Sequence, residues 1–342
     1  KPYKASVAVV IPVYREDPYN LKCCIESVLK NNPNEVYVIL DDPDPKLEEV
    51  ARKYPVKVYV QGHKGKREAQ AVAFRLIKSE ITITVDSDTI LTDGAIKEII
   101  KPFNNPKVGA VCGSLRVLNE RKNVLTRLLA VRYYNACNLD RAAQSRFGVV
   151  TCCTGVFSAY RTRLIKKVLD RYVNETWMGR KCTFGDDRHL TSLILKEGYD
   201  AVYQKTAIAK TLAPESLWKW LKQQLRWNRS FWRENFKMFR WMFKRSKILG
   251  FWIIMDTLLP FLFLSCGVIP LFILLLKAGL PIKIFSYMLA ISIIALLRSA
   301  KYSKSSLSYY LMPIYAFLYS LFLLPIYVYA MFTTHKGSWL TR

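Results

Sequence analysis

The sequence contains few of the residues that build zinc sites. Only three histidines, His63, His189 and His335, occur among its 342 residues, and no two cysteines are spaced as C-x-x-C. This scarcity argues against a zinc site. A chain of this length can form a core without disulfide bonds, so reduced thiols in a cytosolic compartment are predicted. The cysteines are Cys23, Cys24, Cys112, Cys137, Cys152, Cys153, Cys182 and Cys266.

Acidic residues are also scarce. The chain has 26 Asp and Glu against 52 Lys and Arg, which gives a formal net charge of +26. Such an excess suits nucleic acid, anionic lipid, or an anionic substrate or product, and a solvated basic face would show it too. No zinc-finger or helix-turn-helix pattern is present, so no nucleic acid is expected as a partner. Many basic residues lie between Lys219 and Lys247, directly before a long apolar stretch, which favours an anionic cytoplasmic leaflet.

Two common nucleotide-binding patterns are missing as well. The chain has neither G-x-G-x-x-G nor G-x-x-x-x-G-K-[ST]. Neither an ordinary dinucleotide-binding fold nor a P-loop is therefore predicted. Gly62 and Gly65 lie in a basic segment, which alone is a weak signal.

The first 215 residues alternate short apolar runs with helical patterns. This rhythm is typical of an α/β fold, a parallel sheet with helices on both faces. Asp41, Asp86 and Asp88 follow predicted strands, so we expect them at the carboxyl edge of the sheet, where ligands bind in such folds. The predicted strands are Ser6–Ile11, stopped by Pro12, Val36–Leu40, Lys57–Val60 and Ile81–Val85, and the predicted helices are Pro18–Lys30, Pro45–Lys53 and Lys66–Lys78.

The rest of the chain is basic and then apolar. Ser216–Phe243 has aromatic residues at helical spacing with Lys and Arg between them, which favours amphipathic helices on a membrane surface over an ordinary core helix. Gly250–Leu276 is long enough to cross a bilayer, Ile282–Leu297 is shorter, and Leu307–Phe332 is rich in Tyr and interrupted by Pro. If the third segment does not cross, the chain end returns to the side of the α/β domain. The predicted units are the α/β domain (1–215), amphipathic interface helices (216–247), two transmembrane helices (248–300), an interfacial or membrane helix (301–334) and a C-terminal loop (335–342).

Two motifs could carry chemistry. Asp86-Ser87-Asp88 puts two carboxylates at a strand end, where they can hold a divalent cation that binds a nucleotide diphosphate. A plain Asx turn is the alternative. Gln223-x-x-Arg226-Trp227 offers an indole that can stack on a sugar and a guanidinium that can bind a diphosphate, although an interfacial Trp beside a snorkelling Arg is equally consistent. Each motif alone is ambiguous, but their combination is specific.

The order of these motifs resembles that of processive family-2 glycosyltransferases, a group that includes cellulose, chitin and hyaluronan synthases. Asp41, Asp86-Ser87-Asp88, Asp187 and Gln223-x-x-Arg226-Trp227 match the series D, D-x-D, [TG]-[ED]-D and Q-x-x-R-W. Finer segments resemble class I hyaluronan synthases, and the likeness runs from about Val7 to Arg342. Those segments are His63-Lys64-Gly65-Lys66-Arg67-Glu68, Arg132-Tyr133-Tyr134, Arg141-Ala142-Ala143-Gln144-Ser145, Lys181-Cys182-Thr183-Phe184-Gly185-Asp186-Asp187-Arg188, Gln223-Gln224-Leu225-Arg226-Trp227 and the gating-loop-like Trp339-Leu340-Thr341-Arg342.

The resemblance implies a GT-A-like domain that transfers sugars, with inversion, from UDP-GlcNAc and UDP-glucuronate to a growing polysaccharide. It further implies an integral plasma-membrane protein, in contact with the lipid bilayer, whose catalytic domain faces the cytosol. Asp187, with its neighbour Asp186 as the alternative, would be the general base, because an acceptor hydroxyl attacks only as its proton is removed. Mn²⁺ or Mg²⁺ held by Asp86 and Asp88, together with Arg226, would offset the charge on the departing diphosphate.

The resemblance also implies two sets of binding residues. Tyr14, Glu16 and Asp41 would border the uridine, and Trp339, Thr341 and Arg342 would close over the nucleotide. The remaining contacts implied for the nucleotide-sugar are Lys66, Arg67, Gln223 and Arg226. The contacts implied for the acceptor are Cys152, Cys153, Gly155, Cys182 and Trp227.

The sequence departs from the family pattern in places. Leu340 stands where the gating loop usually has Gly, Asp42 where Gly often follows the uracil-binding Asp, and Gly155-Val156-Phe157 where G-P-L is usual. The spans that the family carries on both sides of this region are not seen, so polymer translocation by this chain alone is not expected. Alternatives are a chitin- or β-glucan-type synthase that uses one UDP-sugar, and a membrane protein with an inactive domain. The intact acidic and Q-x-x-R-W residues argue against the second.

Overall fold

The computed structural model describes residues 3–263, 265, 281–300, 302 and 307–337. Within this part, eight strands form one sheet in the order β3-β2-β1-β4-β7-β6-β10-β5, and β8 and β9 form a separate hairpin. The strands are β1 (Val7–Val13), β2 (Glu35–Leu40), β3 (Lys57–Val60), β4 (Ile81–Val85), β5 (Ile90–Leu91), β6 (Val108–Val117), β7 (Phe157–Arg161), β8 (Thr176–Trp177), β9 (Arg180–Lys181) and β10 (Asp200–Thr211). Pairing is parallel from β3 to β4 and between β6 and β10, whereas β7 is antiparallel to β4 and β6, and β5 to β10. The predicted α/β fold with a mostly parallel sheet is confirmed.

Strand β1 continues through Pro12, which the sequence predicts as its end. The Val13 carbonyl accepts the Asp41 N–H on the β2 side, so the preceding residue, Pro12, turns toward β4. The pairing of β1 with β4 ends at Val10. Pro12 therefore lacks its N–H where the ladder has ended, and the strand tolerates it.

Two helices begin at Asp-Pro steps that follow strands. Asp17 and Asp44 accept backbone N–H groups in the first turns of the first two helices, and both helices carry Pro in that turn. The helices are α1 (Pro18–Leu29), α2 (Pro45–Arg52), α3 (Lys66–Leu76), α4 (Ala95–Ile100), α5 (Val124–Asn135), α6 (Ala142–Ser145), α7 (Thr162–Val173), α8 (Asp186–Lys196), α9 (Leu217–Met238), α10 (Met242–Arg245) and α11 (Lys247–Phe263). Further helical segments are Lys101–Asn104, Ala136–Arg141, Pro281–Arg298, Leu307–Tyr310, Met312–Leu318, Tyr319–Leu323 and Leu324–Phe332.

The sheet is buried on both faces. Val9 and Ile11 of β1 belong to a core that includes side chains of α1, whereas Ala8 and Val10 belong to a second core with side chains of α3 and α7. This alternation follows from the period of two along a strand. Near-continuous apolar strands are what a sheet covered on both faces requires.

Helix α9, which carries Gln223, Arg226 and Trp227, packs against protein along much of its length. Trp220 and Trp232 are buried, and the Trp232 indole donates to the Tyr327 carbonyl at 3.0 Å. Trp218 in the first turn is 66 % exposed. The apolar side of this amphipathic helix is therefore covered largely by the C-terminal helices.

One helix in the described part of the chain, Ser308–Phe332, is long and apolar enough to cross a membrane, with 25 residues and a hydropathy of 1.9. Both of its ends lie against the α/β domain. The Ser308 hydroxyl donates to Glu120 at 3.0 Å, and Thr334, just past the helix, accepts the Trp177 indole N–H at 3.0 Å. The predicted span Gly250–Leu276 extends beyond α11 into residues outside the described part.

Candidate active site

Lys66, the first residue of α3, lies between two carboxylates at the carboxyl edge of the sheet. Its Nζ is 2.7 Å from Asp86 Oδ1 and 3.2 Å from Asp186 Oδ2. Burial alone would lower the pKa of Lys66, but the charges of Asp186 and Asp86 outweigh burial and raise it. Gly155 leaves room for the ammonium, since a Cβ there would lie 2.8 Å from Nζ. The edge therefore carries a fixed positive charge among acidic groups.

Asp41 is 2 % exposed and organises the loop that leads into α3. Its carboxylate accepts the N–H groups of Lys64 and Gly65, each at 2.9 Å, and the side-chain amide of Gln61 at 2.7 Å. Gly65 has φ +98°, a conformation that L side chains rarely adopt. The carboxylate thus already has several partners, and it shapes the loop 61–65.

Tyr14 and Glu16, which follow β1, join this edge. The Tyr14 ring stacks on His63 with centroids 4.3 Å apart, and Glu16 accepts the Ser87 hydroxyl at 2.8 Å. Tyr14 thereby links the end of β1 to the loop 61–65, and Glu16 links it to the Asp86-Ser87-Asp88 turn.

Asp187, in the first turn of α8, faces the segment that follows Cys152. Its Oδ2 lies 3.6 Å from Cys152 Sγ and 3.4 Å from the Gly155 N–H, and its Oδ1 accepts the Arg188 N–H at 2.8 Å. Burial and the charge of Asp186 raise the pKa of Asp187 above its ordinary value. Burial would raise the pKa of Asp186 too, but Lys66 and Arg67 outweigh burial and lower it. The pKa values of these two adjacent carboxyls are thus shifted in opposite directions, a pattern typical of acid and base sites.

Asp86 and Asp88 follow β4 and remain partly accessible. Asp86 pairs with Lys66, and Asp88 Oδ1 accepts the Thr211 hydroxyl at 3.3 Å. Carboxylate oxygens at an open strand end are the hard donors that Mg²⁺ and Mn²⁺ prefer. The donor set therefore fits a divalent cation, with Lys66 as the group that neutralises Asp86 here.

A second acidic group, Glu175, His189 and Glu234, is fully buried, and its ligand atoms lie within 4.8 Å of one another. It is a poor cation site, because three basic side chains already enter it. Arg233 Nε is 3.5 Å from Glu175, Lys237 Nζ is 3.7 Å from Glu234, and both Arg67 and Lys237 pair closely with Glu175. His189 Nδ1 adds a contact of 3.0 Å to Glu234. This charged cluster is an ion-pair network, and a metal would have to displace its cations.

Three expected binding residues turn away from the edge. Arg67 is 3 % exposed and its guanidinium enters the charged cluster, so in this structure it does not face the edge where the nucleotide-sugar is expected. Neighbouring residues on a helix point about 100° apart, and the rotation of α3 turns Lys66 to the edge and Arg67 to the charged cluster. The Cys153 side chain is wholly buried, and the backbone N–H of this residue donates to the Thr191 hydroxyl at 2.9 Å. The third residue, Cys182, is 5 % exposed. Of the expected acceptor residues, Cys152 and Gly155 lie beside Asp187 at the edge, and Trp227 lies on α9.

Gln223, Arg226 and Trp227 lie on successive turns of α9. Trp227 is 43 % exposed, and its ring centroid lies 6.4 Å from that of Tyr133. Gln223 Oε1 is buried and has no hydrogen-bond partner in the described part of the chain. An exposed indole beside a second aromatic ring offers an apolar face for a sugar.

The segment that leads to the predicted gating loop touches the site region. Thr183 donates to the Gly337 carbonyl at 2.7 Å, and Arg229 Nε donates to Thr333 at 3.1 Å. Trp339, Thr341 and Arg342, like Leu340, lie outside the described residues.

Sequence reasoning missed two site residues. It cited Asp186 only as an alternative base, yet this residue holds Lys66, and it gave Gln61 no role. For Asp186 the signal is the adjacent pair Asp186-Asp187, because one of two neighbouring carboxylates in the first turn of a helix can face a residue of another element, here Lys66 of α3. Nothing in the sequence marks Gln61, because its role depends on how the loop folds over Asp41.

The chain is similar to known glycosyltransferases over its length. A family model described as glycosyltransferase like family 2 matches residues 4–230. A hyaluronan synthase of Streptococcus pyogenes is 36 % identical, with 100 % of this chain and 84 % of the relative covered. An N-acetylglucosaminyltransferase of Azorhizobium caulinodans is 34 % identical, covering 100 % and 88 %.

A solved structure has a similar fold. It is a mannosyltransferase of Pyrobaculum calidifontis in complex with GDP-Man and Mn²⁺, 18 % identical, with a TM-score of 0.64 over 93 % of this chain and 88 % of that one. At this identity the likeness concerns the fold, and it confirms the GT-A-like arrangement.

Proposed function

The chain belongs to glycosyltransferase family 2, and from that premise we propose that it is a membrane-embedded, processive, inverting enzyme. It polymerises UDP-GlcNAc and UDP-glucuronate into hyaluronan. The observation that carries this proposal is the edge cluster: Lys66 fixed between Asp86 and Asp186, with Asp187 directly beside them. Full-length similarity to a hyaluronan synthase supports the choice of donors.

Asp187 acts as the base in this proposal. It is partly accessible, its pKa is raised, and it stands beside Cys152 and Gly155, where an acceptor hydroxyl would approach. A carboxylate opposite the leaving diphosphate takes the hydroxyl proton as the new bond forms, which permits inversion in one step. Trp227 stacks on the acceptor sugar and holds its hydroxyl in reach of Asp187.

The leaving group is handled on the other side of the cluster. Lys66 brings a cation to the carboxyl edge, and Arg226 and Gln223 of α9 serve the same diphosphate. Asp86 and Asp88 would hold Mn²⁺ or Mg²⁺, which when bound supplies further stabilisation of the charge on the departing diphosphate. Tyr14, Glu16 and Asp41, with the loop 61–65, form the nucleoside side. Trp339, Thr341 and Arg342 are proposed to close over it.

The apolar C-terminal part is proposed to sit in the membrane, with the catalytic domain on the cytosolic side. The predicted spans Gly250–Leu276 and Ile282–Leu297 overlap helix α11 and segment Pro281–Arg298. The exposed basic residues of α9 and its neighbours, Lys219, Arg240, Lys244 and Lys247, face the anionic leaflet. The excess of positive charge also suits an acidic polymer and its UDP donors.

Release of UDP by the detergent-solubilised protein with Mn²⁺ tests the proposal. UDP-GlcNAc alone, UDP-glucuronate alone and both together are compared, and the product is treated with hyaluronidase and with chitinase. Sustained release that needs both donors, with a product cut by hyaluronidase, is expected. Absence of release with either donor or with both would refute the proposal.

A second candidate is a chitin-type transferase that uses UDP-GlcNAc alone. The observation in its favour is that the N-acetylglucosaminyltransferase of Azorhizobium caulinodans is nearly as similar as the synthase, at 34 % against 36 % identity. Sustained release from UDP-GlcNAc alone, with a product cut by chitinase, would select it.

A further inference from the structure

The carbonyl oxygen of Phe184 is held by two buried guanidinium groups from two different helices. Arg67 of α3 donates to it through Nη2 at 3.0 Å, and Arg233 of α9 donates through Nη2 at 2.5 Å. The Arg233 guanidinium also lies over the Phe184 ring, 4.9 Å from its centroid. Charge-assisted hydrogen bonds of this kind are among the stronger ones in proteins.

Phe184 stands directly before the turn that starts α8. Gly185 has φ +76°, and Asp186 and Asp187 follow at once. A Cβ at Gly185 would lie 1.9 Å from the Ser230 hydroxyl, so α9 packs directly onto the turn. A shift of this carbonyl would therefore move both carboxyls of the cluster.

The two arginines each bring a site residue with them. Arg67 follows Lys66, which pairs with Asp86 and Asp186. Arg233 lies on α9, the helix that carries Arg226 and Trp227. The Phe184 carbonyl therefore connects three helices: α3, which supplies Lys66, α8, which supplies Asp187, and α9, which carries the expected acceptor residue Trp227.

The charged cluster keeps the guanidinium groups in place. Arg67 pairs with Glu175, Arg233 lies 3.5 Å from Glu175 and 3.7 Å from Glu234, and Glu234 is fully buried. His189, one turn into α8, bonds Glu234 and so ties α8 to α9 a second time. Buried ion pairs often add little stability but can fix one arrangement.

We propose that Arg233, with Arg67, is a positioning residue that holds the Phe184 carbonyl so that Asp187 keeps its place relative to Lys66 and Trp227. This inference rests on the proposed function, in which Asp187 is the base. Arg233 touches no reacting atom in this scheme. Its effect passes through the turn at Gly185.

The test replaces each arginine together with a carboxylate partner, so that no buried charge is left unpaired. The variants are Arg233→Met/Glu234→Gln and Arg67→Met/Glu175→Gln. A matched control is Arg245→Met/Asp200→Asn, because Arg245 bonds Asp200 at 2.7 Å and the Leu195 carbonyl at 3.2 Å, near the other end of α8. Turnover, the dissociation constant of UDP with Mn²⁺, and the melting temperature are measured for each full-length variant in detergent.

A displaced base slows transfer and leaves nucleotide binding intact. Turnover should fall by on the order of 10²-fold in both cluster variants, with the UDP dissociation constant changed less than about twofold. The control should keep its turnover. Equal turnover in the cluster variants and the control would overturn the proposal, and so would a loss of UDP affinity that matches the loss of turnover.

Failure of this inference is separable from failure of the proposed function. The donor panel with the unaltered protein decides the substrate. The positioning role is judged on the ratio of turnover to UDP binding, with whichever donor the unaltered protein uses. If one cluster variant does not fold, the other carries the same comparison.

Discussion

At the scale of single residues, Lys66 accounts for the opposite pKa shifts of the adjacent carboxyls of Asp186 and Asp187. Lys66 lies 3.2 Å from Asp186 and directly stabilises its charged form, whereas Asp187 faces Cys152 and the Gly155 N–H. Both are in the first turn of α8, so the helix terminus does not distinguish them. The two pKa shifts differ because Asp186 lies on the side of the turn that faces the Lys66 ammonium.

The pH dependence of the reaction should reflect this difference. Because the pKa of Asp187 is raised and the base works only when ionised, the acidic limb of kcat/KM should lie at a higher pH than for an ordinary Asp. Asp186→Asn removes a charge that raises this pKa, so the limb should move to lower pH, while lower overall activity is expected from the loss of the Lys66 partner. A pH profile of UDP release checks this, and an unmoved limb would contradict the assignment.

Asp187→Asn should abolish most of the transfer. Loss of a general base lowers turnover by on the order of 10²–10⁴-fold, while binding of UDP should be unchanged. UDP release and UDP binding are measured in parallel, and Asp170→Asn, on the exposed face of α7, serves as the control. Retention of full polymerisation by Asp187→Asn would exclude this residue as the base.

Residue identities at the edge follow from the sequence better than side-chain directions do. Asp86 and Asp88 stand out because they follow an apolar strand, and Asp187 because it matches the family motif. Lys66 and Arg67 look equivalent in the sequence, yet one reaches the edge and the other is buried among Glu175 and Glu234. That choice depends on the rotation of α3, which packing sets and a short motif does not.

At the scale of elements, the Gly185 turn offers a direct test of how closely α9 is packed. Gly185→Ala meets a left-handed backbone and Ser230, whereas Gly179→Ala, with φ +75°, meets nothing within 4 Å. Both carry the backbone penalty, so the difference isolates the packing. Gly185→Ala should lower the free energy of unfolding by about 1–3 kcal/mol more than Gly179→Ala.

Denaturation of the two glycine variants in detergent, together with their UDP release, provides the measurement. Turnover should fall for Gly185→Ala and stay near the unaltered value for Gly179→Ala. Equal effects would mean that α9 can move away from the turn without consequence.

Helix α9 also shows that a sequence pattern can predict an apolar helix face without predicting what covers it. Trp and Arg at helical spacing predict an apolar face, and α9 has one. The pattern does not say whether lipid or protein covers that face, since both are apolar. Here Trp232 packs on Tyr327 and Phe261, which lie 95 and 29 residues further along the chain.

At the scale of the whole molecule, the Ser308–Phe332 helix returns to the domain from which it starts. Glu120 accepts the Ser308 hydroxyl at its beginning, and the Trp177 indole donates to Thr334 just beyond its end. A helix of 25 residues is about 37 Å long. Both of its ends meet the same α/β domain, so for the proposed membrane arrangement we infer a helix along the interface and not a third crossing.

This arrangement predicts the side on which residues 335–337 lie. A protease site inserted after Lys336 should be cut from the same face of sealed vesicles as a site inserted after Lys53, in an exposed turn of the α/β domain. Cleavage from opposite faces would mean that Ser308–Phe332 crosses the bilayer. Vesicles of known orientation provide the measurement.

The hydrogen bonds of Asp41 bear on how quickly a nucleotide can be taken up. Since Lys64, Gly65 and Gln61 are already fixed to this carboxylate, the loop loses little conformational entropy when a ligand arrives. Association at this part of the site should then follow simple encounter, without the slow phase of a rearranging lid. Any slow step in the cycle would have to arise elsewhere, in closure of the proposed gating loop 339–342, in acceptor movement or in departure of the spent nucleotide.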